Sequence, residues 1–224
     1  MSSSIKIQWY GHACIGVHAY GKTLIIDPHD GGSIGIKRPE VKADYVLITH
    51  DHFDHNAHRV VSRDDTKIFK MKEGDFEIPP FRVRGVKTYH DKEGGRRRGS
   101  NIVYVIRTSG GVSILHAGDL GHIPDESTMK KFERVDIAIL PIGGVFTIDY
   151  VEALEVFQLL RARIMIPIHY WVKGVNIPLA PVENLVKEAE KKGFKIESLD
   201  TNYLEVEDSP ERLGEIRITV LKYL

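Results

Sequence analysis

Cys14 is the single cysteine in the chain, so no intrachain disulfide can form and a thiolate-rich zinc cage is excluded. Any metal must be held by histidine and carboxylate. There is no excess charge either: 31 Lys and Arg balance 31 Asp and Glu. That balance removes the global field which draws in nucleic acid or an anionic membrane surface. No window approaches the roughly 18 consecutive apolar residues of a membrane-spanning helix. The opening Met1-Ser2-Ser3-Ser4-Ile5-Lys6 lacks the apolar core of a signal peptide. A cytoplasmic protein with no membrane partner is the expectation. Repeats, low-complexity segments and obvious linkers are also missing, so the 224 residues, 42% of them hydrophobic, are expected to form a single domain over 1–224. Lys, Arg and Glu are abundant beside few Asn and Gln, a composition associated with heat adaptation.

What the chain does have is Thr49-His50-Asp51-His52-Phe53-Asp54-His55-Asn56, directly after the apolar run Tyr45-Val46-Leu47-Ile48. Alternate positions of an extended chain point to the same side, so His50, His52 and Asp54 can converge while His55 turns to a neighbouring point. Imidazoles and carboxylates are the donors that zinc, iron or manganese take. A solvated polar loop would account for one histidine. It does not account for this cluster, whose members would repel one another when protonated.

Around this stretch the period of the pattern changes from strand to helix. Strands are expected over Ile5–Trp9, Cys14–His18 and Thr23–Asp27, forming an antiparallel meander that turns at Tyr20-Gly21-Lys22. A strand Asp44–Ile48 delivers the cluster, and a short helix is expected from Asp54 or Asn56 to Ser62. Lys67–Met71, Phe81–Val86, Ile102–Thr108 and Val112–Leu115 read as further strands. The later part alternates: helix Asp125–Arg134, strand Asp136–Leu140, helix Asp149–Leu160, strand Arg163–Ile168 and helix Pro181–Lys192. Strands near Ile196, Tyr203–Val206 and Ile216–Leu221 close the chain. Two sheets packed face to face, with helices outside, are the expected α+β architecture.

Three more donors stand at expected strand ends: His90, Asp119 and His169. With His50, His52, Asp54 and His55 they make seven, too many for one tetrahedral zinc and about right for two ions sharing one carboxylate. These residues carry a resemblance. Thr-His-Asp-His-Phe-Asp-His matches the His-x-His-x-Asp-His signature of the metallo-β-lactamase superfamily, and His90, Asp119 and His169 follow in that family's order. Trp9-Tyr10-Gly11-His12-Ala13, Ile26-Asp27-Pro28, His116-Ala117-Gly118-Asp119, Pro141-Ile142-Gly143 with Phe146-Thr147, and Ile166-Pro167-Ile168-His169-Tyr170 resemble the branch of metal-dependent hydrolases that includes ascorbate-6-phosphate lactonase. These blocks span about residues 5 to 175. The resemblance implies a four-layer αββα sandwich. It implies one ion at His50, His52 and His90, a second at Asp54, His55 and His169, and Asp119 bridging them. His29 and Asn56 depart from the usual pattern at positions expected near the substrate.

Two divalent ions, zinc first with manganese or iron as alternatives, would convert a shared water to hydroxide at neutral pH. Asp119 would fix their separation and Asp54 would orient the nucleophile. No serine or thiol arrangement offers a competing one. The expected function is therefore hydrolysis of a small ester, lactone or phosphorylated substrate. The competing readings are a phosphodiesterase or nuclease of the same fold, disfavoured by the neutral charge, a diiron redox enzyme, and a non-catalytic metal-binding protein. Relatives of the diiron type place a carboxylate where His52 stands. His12 and Asp27 are the candidate partners of the ligating imidazoles, although Asp27 could equally cap the turn before Pro28. His116 is expected to face the core or back the ligands, His122 to reach the open side of the site. Arg96, Arg97 and Arg98 could contact an anion, with Lys173 a further cation near the mouth. Phe146, Tyr170 and Trp171 are candidate pocket walls. His18 and His58 read as packing or surface residues. The partner expected is a small-molecule substrate, with homo-oligomerisation left open.

Overall fold

Short runs that are apolar on both faces decide the architecture. The computed structural model describes residues 3–223. In chain order the strands are β1 (Ser4–Trp9), β2 (Ile15–Ala19), β3 (Lys22–Ile26), β4 (Tyr45–Ile48), β5 (Lys67–Lys70), β6 (Gly74–Ile78), β7 (Phe81–Tyr89), β8 (Ser100–Arg107), β9 (Ser113–His116), β10 (Ile137–Pro141), β11 (Ile164–Ile168), β12 (Ile196–Ser198), β13 (Tyr203–Glu207) and β14 (Arg217–Val220). The α-helices are α1 (Glu126–Phe132), α2 (Tyr150–Leu160) and α3 (Val182–Lys191). They form a six-stranded sheet, β13-β1-β2-β3-β4-β5, and an eight-stranded one, β12-β14-β11-β10-β9-β8-β7-β6.

Alternation along the strands sets the layers. Leu24, Ile26, Tyr45 and Leu47 join the core shared with the second sheet, whereas Ile25, Val46 and Ile48 pack with Cys14, Ala43 and Val61 on the outer face. In β10 and β11 every residue is buried, because the first sheet lies on one side and helices lie on the other. Helix α1 packs on β7, α2 on β10 and on α3, and α3 on β12. The N-terminus of α2 is fixed by a capping box, with Asp149 accepting from the Val151 and Glu152 N–H groups while Glu152 reaches back. This is the expected α+β sandwich. Among the described residues no helix is long and apolar enough to cross a membrane.

Two local expectations are corrected. The helix expected up to Ser62 shrinks to a 3-10 turn, His58–Val60. The Ala57 N–H is drawn to the Pro28 carbonyl, and the N–H groups of Val60 and Val61 then reach back only three residues, to Ala57 and His58, so the segment tightens into a 3-10 turn. The outer layer on the six-stranded sheet is accordingly loop and 3-10 turn. Strand β6 lies between Lys67–Met71 and Phe81–Val86, where no strand is expected. It pairs antiparallel with β7 as an exposed edge whose charges discourage further pairing.

Strand directions place the site. β1 and β3 both run antiparallel to β2, and β4 is parallel to β3. β7 and β9 both run antiparallel to β8, and β10 and β11 continue parallel to β9. The C-terminal ends of β1, β3 and β4 therefore share one end of their sheet, and those of β7, β9 and β11 share one end of theirs. His12, Asp27, His50, His90, Asp119 and His169 follow these ends. At the far end Asp208, buried after β13, ties the two sheets together. It accepts from the Gly110 N–H at 2.9 Å and from the Thr108 and Tyr20 hydroxyls, which belong to the hairpin turns β8–β9 and β2–β3.

Replacing Asp208 with Ala strands these donors and is expected to cost about 3 kcal/mol, a fall in Tm of roughly 6–12 °C, with metal content unchanged. A thermal melt paired with elemental analysis checks both parts. Loss of metal together with stability would show that the two ends of the sandwich are not independent.

Candidate metal centre

The backbone is bent to bring the donors together. His12, Asp27 and His169 all adopt positive φ, at 51°, 50° and 53°, a left-handed conformation that costs a non-glycine residue of order 1 kcal/mol. Tertiary bonds hold it in place. The His169 N–H donates to the His12 carbonyl at 3.0 Å, and the Trp9 indole donates to the same oxygen at 2.8 Å. Asp119 is placed by Asn101, whose Oδ1 accepts the Asp119 N–H at 3.0 Å while its Nδ2 donates to the Ala117 carbonyl and to Thr88. Gly118 must be glycine here. A Cβ at that position would lie 2.4 Å from Asn101 Oδ1 and 2.6 Å from Thr49 Oγ1. His116 braces the same loop from below: its Nδ1 accepts from the Gly118 N–H at 3.1 Å, so its Nε2 carries the proton donated to the Ala13 carbonyl.

The donors fall into two groups, each with one atom per residue within 4.8 Å of the others: His50, His52 and His90, and Asp54, His55 and His169 together with His12. Between them stands Asp119. Its Oδ2 lies 3.1 Å from His90 Nε2 and 3.7 Å from His50 Nε2 on one side, and 3.3 Å from His55 Nε2 and 3.4 Å from His169 Nε2 on the other. One carboxylate also stands behind both groups. Asp27 is fully buried. Its Oδ1 accepts the Thr49 N–H at 2.8 Å, and its Oδ2 accepts the Thr49 hydroxyl at 2.6 Å and His55 Nδ1 at 3.0 Å. The Thr49 hydroxyl, its proton committed to Asp27, accepts from His50 Nδ1 at 2.9 Å. Asp27 thereby fixes the tautomer of both His50 and His55 and leaves Nε2 of each free to bind a cation.

Electrostatics favour positive charge inside this cluster. Burial opposes protonation of His55, but Asp119 and Asp27 overcome it and raise its pKa well above the usual value. Burial also opposes the charge on Asp54, yet the hydrogen bond with His12 at 2.9 Å and the field of His55 hold its carboxyl well below the usual range. The same balance, led by His169 and His55, keeps Asp119 ionised. Burial lowers His12 and His50 to about 3, so both are neutral imidazoles at pH 7. His50 Nε2, His55 Nε2 and Asp119 Oδ1 are buried without any hydrogen-bond partner. Buried polar atoms are rarely left so. Nitrogen and oxygen donors around carboxylate charge are what a divalent cation requires, so the residues present fit the group.

The outer candidates divide. His12 and Asp27 join the cluster as described. Phe146 and Arg98 border the cavity above it, along with His52 and Asp54, and the Arg98 guanidinium lies 4.3 Å from the centroid of the Phe146 ring. Five candidates are not brought in, and of these Trp171 and Lys173 simply do not line the space above the cluster. His122 accepts the Tyr89 N–H at Nε2 and turns Nδ1 to the Ile123 carbonyl, stacking on Tyr89 rather than on the ligands. Tyr170 is buried against Trp9 at 4.9 Å between ring centroids, where its packing supports the turn at His12. Arg96 does not line the cavity that Arg97 and Arg98 border. Nor do His29 and Asn56 face the substrate side: His29 is buried on the Tyr10 carbonyl and Asn56 donates to Asp51. Sequence reasoning missed Thr49, which the motif itself contains beside His50, and Asn101, for which the sequence carries no signal. It also missed Ile177 and Pro178, which complete the cavity wall from the loop after β11.

Comparison with known proteins identifies the family. The family model described as a beta-lactamase superfamily domain matches residues 6–169. A UPF0173 metal-dependent hydrolase of Thermoplasma volcanium is 31% identical over 74% of this chain and 83% of its own length. One from Thermoplasma acidophilum is 32% identical over 75% of this chain and 84% of its length. A crystal structure from Thermotoga maritima, described as a candidate Zn-dependent hydrolase of the metallo-β-lactamase superfamily, superimposes with a TM-score of 0.78 at 31% identity, covering 98% of this chain and all of that one. The chain belongs to the metallo-β-lactamase superfamily, among its UPF0173 metal-dependent hydrolases.

Proposed function

We propose that the two donor groups each hold one divalent ion, zinc first with manganese or iron as alternatives, and that the enzyme hydrolyses a small ester, lactone or phosphorylated substrate. The observation carrying this reading is Asp119 Oδ2, which stands within 3.7 Å of two imidazoles from each group. When bound, such a pair of ions lowers the pKa of water towards neutrality and polarises a carbonyl or phosphoryl oxygen. The chain supplies the rest. Asp54, held ionised by His12, is too weak a base to take a proton at pH 7 and suits the role of ligand and hydrogen-bond acceptor that orients the attacking water. Asp27, through Thr49 and His55 Nδ1, holds His50 and His55 so that neither ring can turn away.

The size and lining of the space above the ligands support a small substrate. The inner cavity has a volume of about 410 Å³ and borders His52, Asp54, His90, Asp119 and His169, within the usual range for small-molecule sites. Structural zinc sites are closed by their four ligands, whereas these donors open onto a cavity. The nearby Lys92 and Arg97 are already paired with Glu152 and Glu93, which reduces the positive charge this rim offers a polynucleotide. The resemblance to ascorbate-6-phosphate lactonase keeps a lactone within the proposed substrate range.

Purified enzyme is expected to contain about two divalent ions per chain, and Asp119→Ala is expected to lose at least one of them together with hydrolysis. Elemental analysis and an ester, lactone and phosphodiester screen test this. Normal turnover in that variant would sink the proposal. Asp27→Asn keeps the shape but offers one acceptor oxygen where two were used, and is expected to weaken metal affinity about 10- to 100-fold. Competition against a chelator measures that loss, and wild-type affinity would deny Asp27 its positioning role.

A further inference from the structure

Beyond the inner cavity the site widens into a bay of about 800 Å³ that carries charges of both signs. Most are matched within the chain. Lys92 Nζ meets Glu152 Oε1 at 2.5 Å and Arg97 Nη1 meets Glu93 Oε1 at 3.5 Å. Asp149 is occupied in capping α2. Asp91 accepts the backbone N–H groups of Glu93, Gly95, Arg97 and Arg98 at 2.8 to 3.0 Å. Arg98 is different. Among the described residues no carboxylate pairs with its guanidinium and no acceptor takes its N–H donors, yet its backbone is fixed by Asp91 and its side chain rests on the Phe146 ring. It borders both the bay and the inner cavity. A guanidinium lying on an aromatic face is held through its π surface, which leaves the in-plane N–H fork free for two parallel bonds to a carboxylate or phosphate. Other parts of the inner wall are apolar: Phe53, 61% exposed, with Ile177 and Pro178.

We propose that Arg98, seated on Phe146, determines specificity by binding an anionic carboxylate or phosphate group of a small substrate. The apolar part of that substrate rests against Phe53, Ile177 and Pro178, and its scissile carbonyl or phosphoryl lies over His52, Asp54 and Asp119. This deepens the hydrolytic reading above and rests on it. It also separates Arg98 from its neighbours in the arginine run, since Arg97 is paired and Arg96 lies outside the bay.

The test compares the metal-loaded enzyme on 4-nitrophenyl hydrogen glutarate, which carries a carboxylate, and on the neutral 4-nitrophenyl hexanoate. Arg98→Ala is expected to lower kcat/KM for the charged ester about tenfold more than for the neutral one, mainly through KM. Arg98→Lys should return part of the difference, and Arg96→Ala should leave the ratio of the two esters at the wild-type value. Equal losses on both esters, or the same loss from Arg96→Ala, overturn the assignment. A second arm needs no turnover: calorimetric titration with glutarate and with inorganic phosphate. Arg98→Ala is expected to weaken at least one of them about tenfold, and the anion more affected identifies the group recognised. Unchanged affinity for both overturns Arg98 as the anion site even if esters are hydrolysed. Arg98-dependent anion binding without turnover of either ester retains Arg98 and counts instead against the hydrolytic reading.

Discussion

Three carboxylates, Asp27, Asp54 and Asp119, are buried within one cluster of imidazoles, and the rest of the structure follows from the need to compensate them. An ionised carboxylate removed from water is tolerated only when it is paired and hydrogen-bonded. Asp27 meets that condition within the chain, through Thr49 and His55. Asp54 meets it partly, through His12. Asp119 meets it least, since Oδ1 has no partner and Oδ2 lies among four imidazoles that compete for it. The gradient from satisfied to unsatisfied runs from the rear of the site to its centre. The least satisfied carboxylate is therefore the one a cation would gain most from binding.

Holding such a cluster demands a rigid frame, and the sandwich supplies it at the ends of parallel strands. Fully buried strands such as β4, β10 and β11 cannot slide without turning apolar side chains out of both faces. Residues that leave these strands at His50 and His169 inherit that precision. The positive φ of His12, Asp27 and His169 is the local cost, sustained because neighbouring backbone bonds overdetermine each turn. Asp208 does similar work at the opposite end, where the carboxylate is satisfied by donors of the chain itself.

Much of this was legible in the sequence because it depends on period and spacing. The strand-end positions of His50, His90, Asp119 and His169 are local facts that survive folding because buried strands deliver them, whereas the alternation expected to bring Asp54 beside His50 and His52 is not kept: β4 ends at Ile48, the chain turns, and Asp54 joins His55 and His169. The first meander, the helix capped at Asp149 and the alternating second half were readable for the same reason. The failures share a different cause. The helix expected after Asp54 shortens to a 3-10 turn whose entry is held by the Ala57 N–H on the Pro28 carbonyl, a tertiary contact that propensity cannot reveal. Tyr170 and His122 adjoin ligands in sequence but face away from them. The residue after a strand end reverses direction relative to the one before it, and only the packing of Trp9 or Tyr89 decides where it goes. Asn101 carries no pattern at all, since its value lies in reaching Asp119 from a neighbouring strand.

The same distinction separates chemistry from selectivity. The candidate ligands on strand ends are held by two cores. The cavity rim is instead made from Phe53, Phe146, Ile177 and Pro178, which lie on loops, and from a turn organised by Asp91. Asp91 satisfies four backbone donors at once, and they hold its carboxyl down at about 2 against the effect of burial. That turn is thus ordered without using the Arg98 side chain. An arginine freed from structural work, beside ligands that are not, is where selection for one substrate over another can act without disturbing the metal centre.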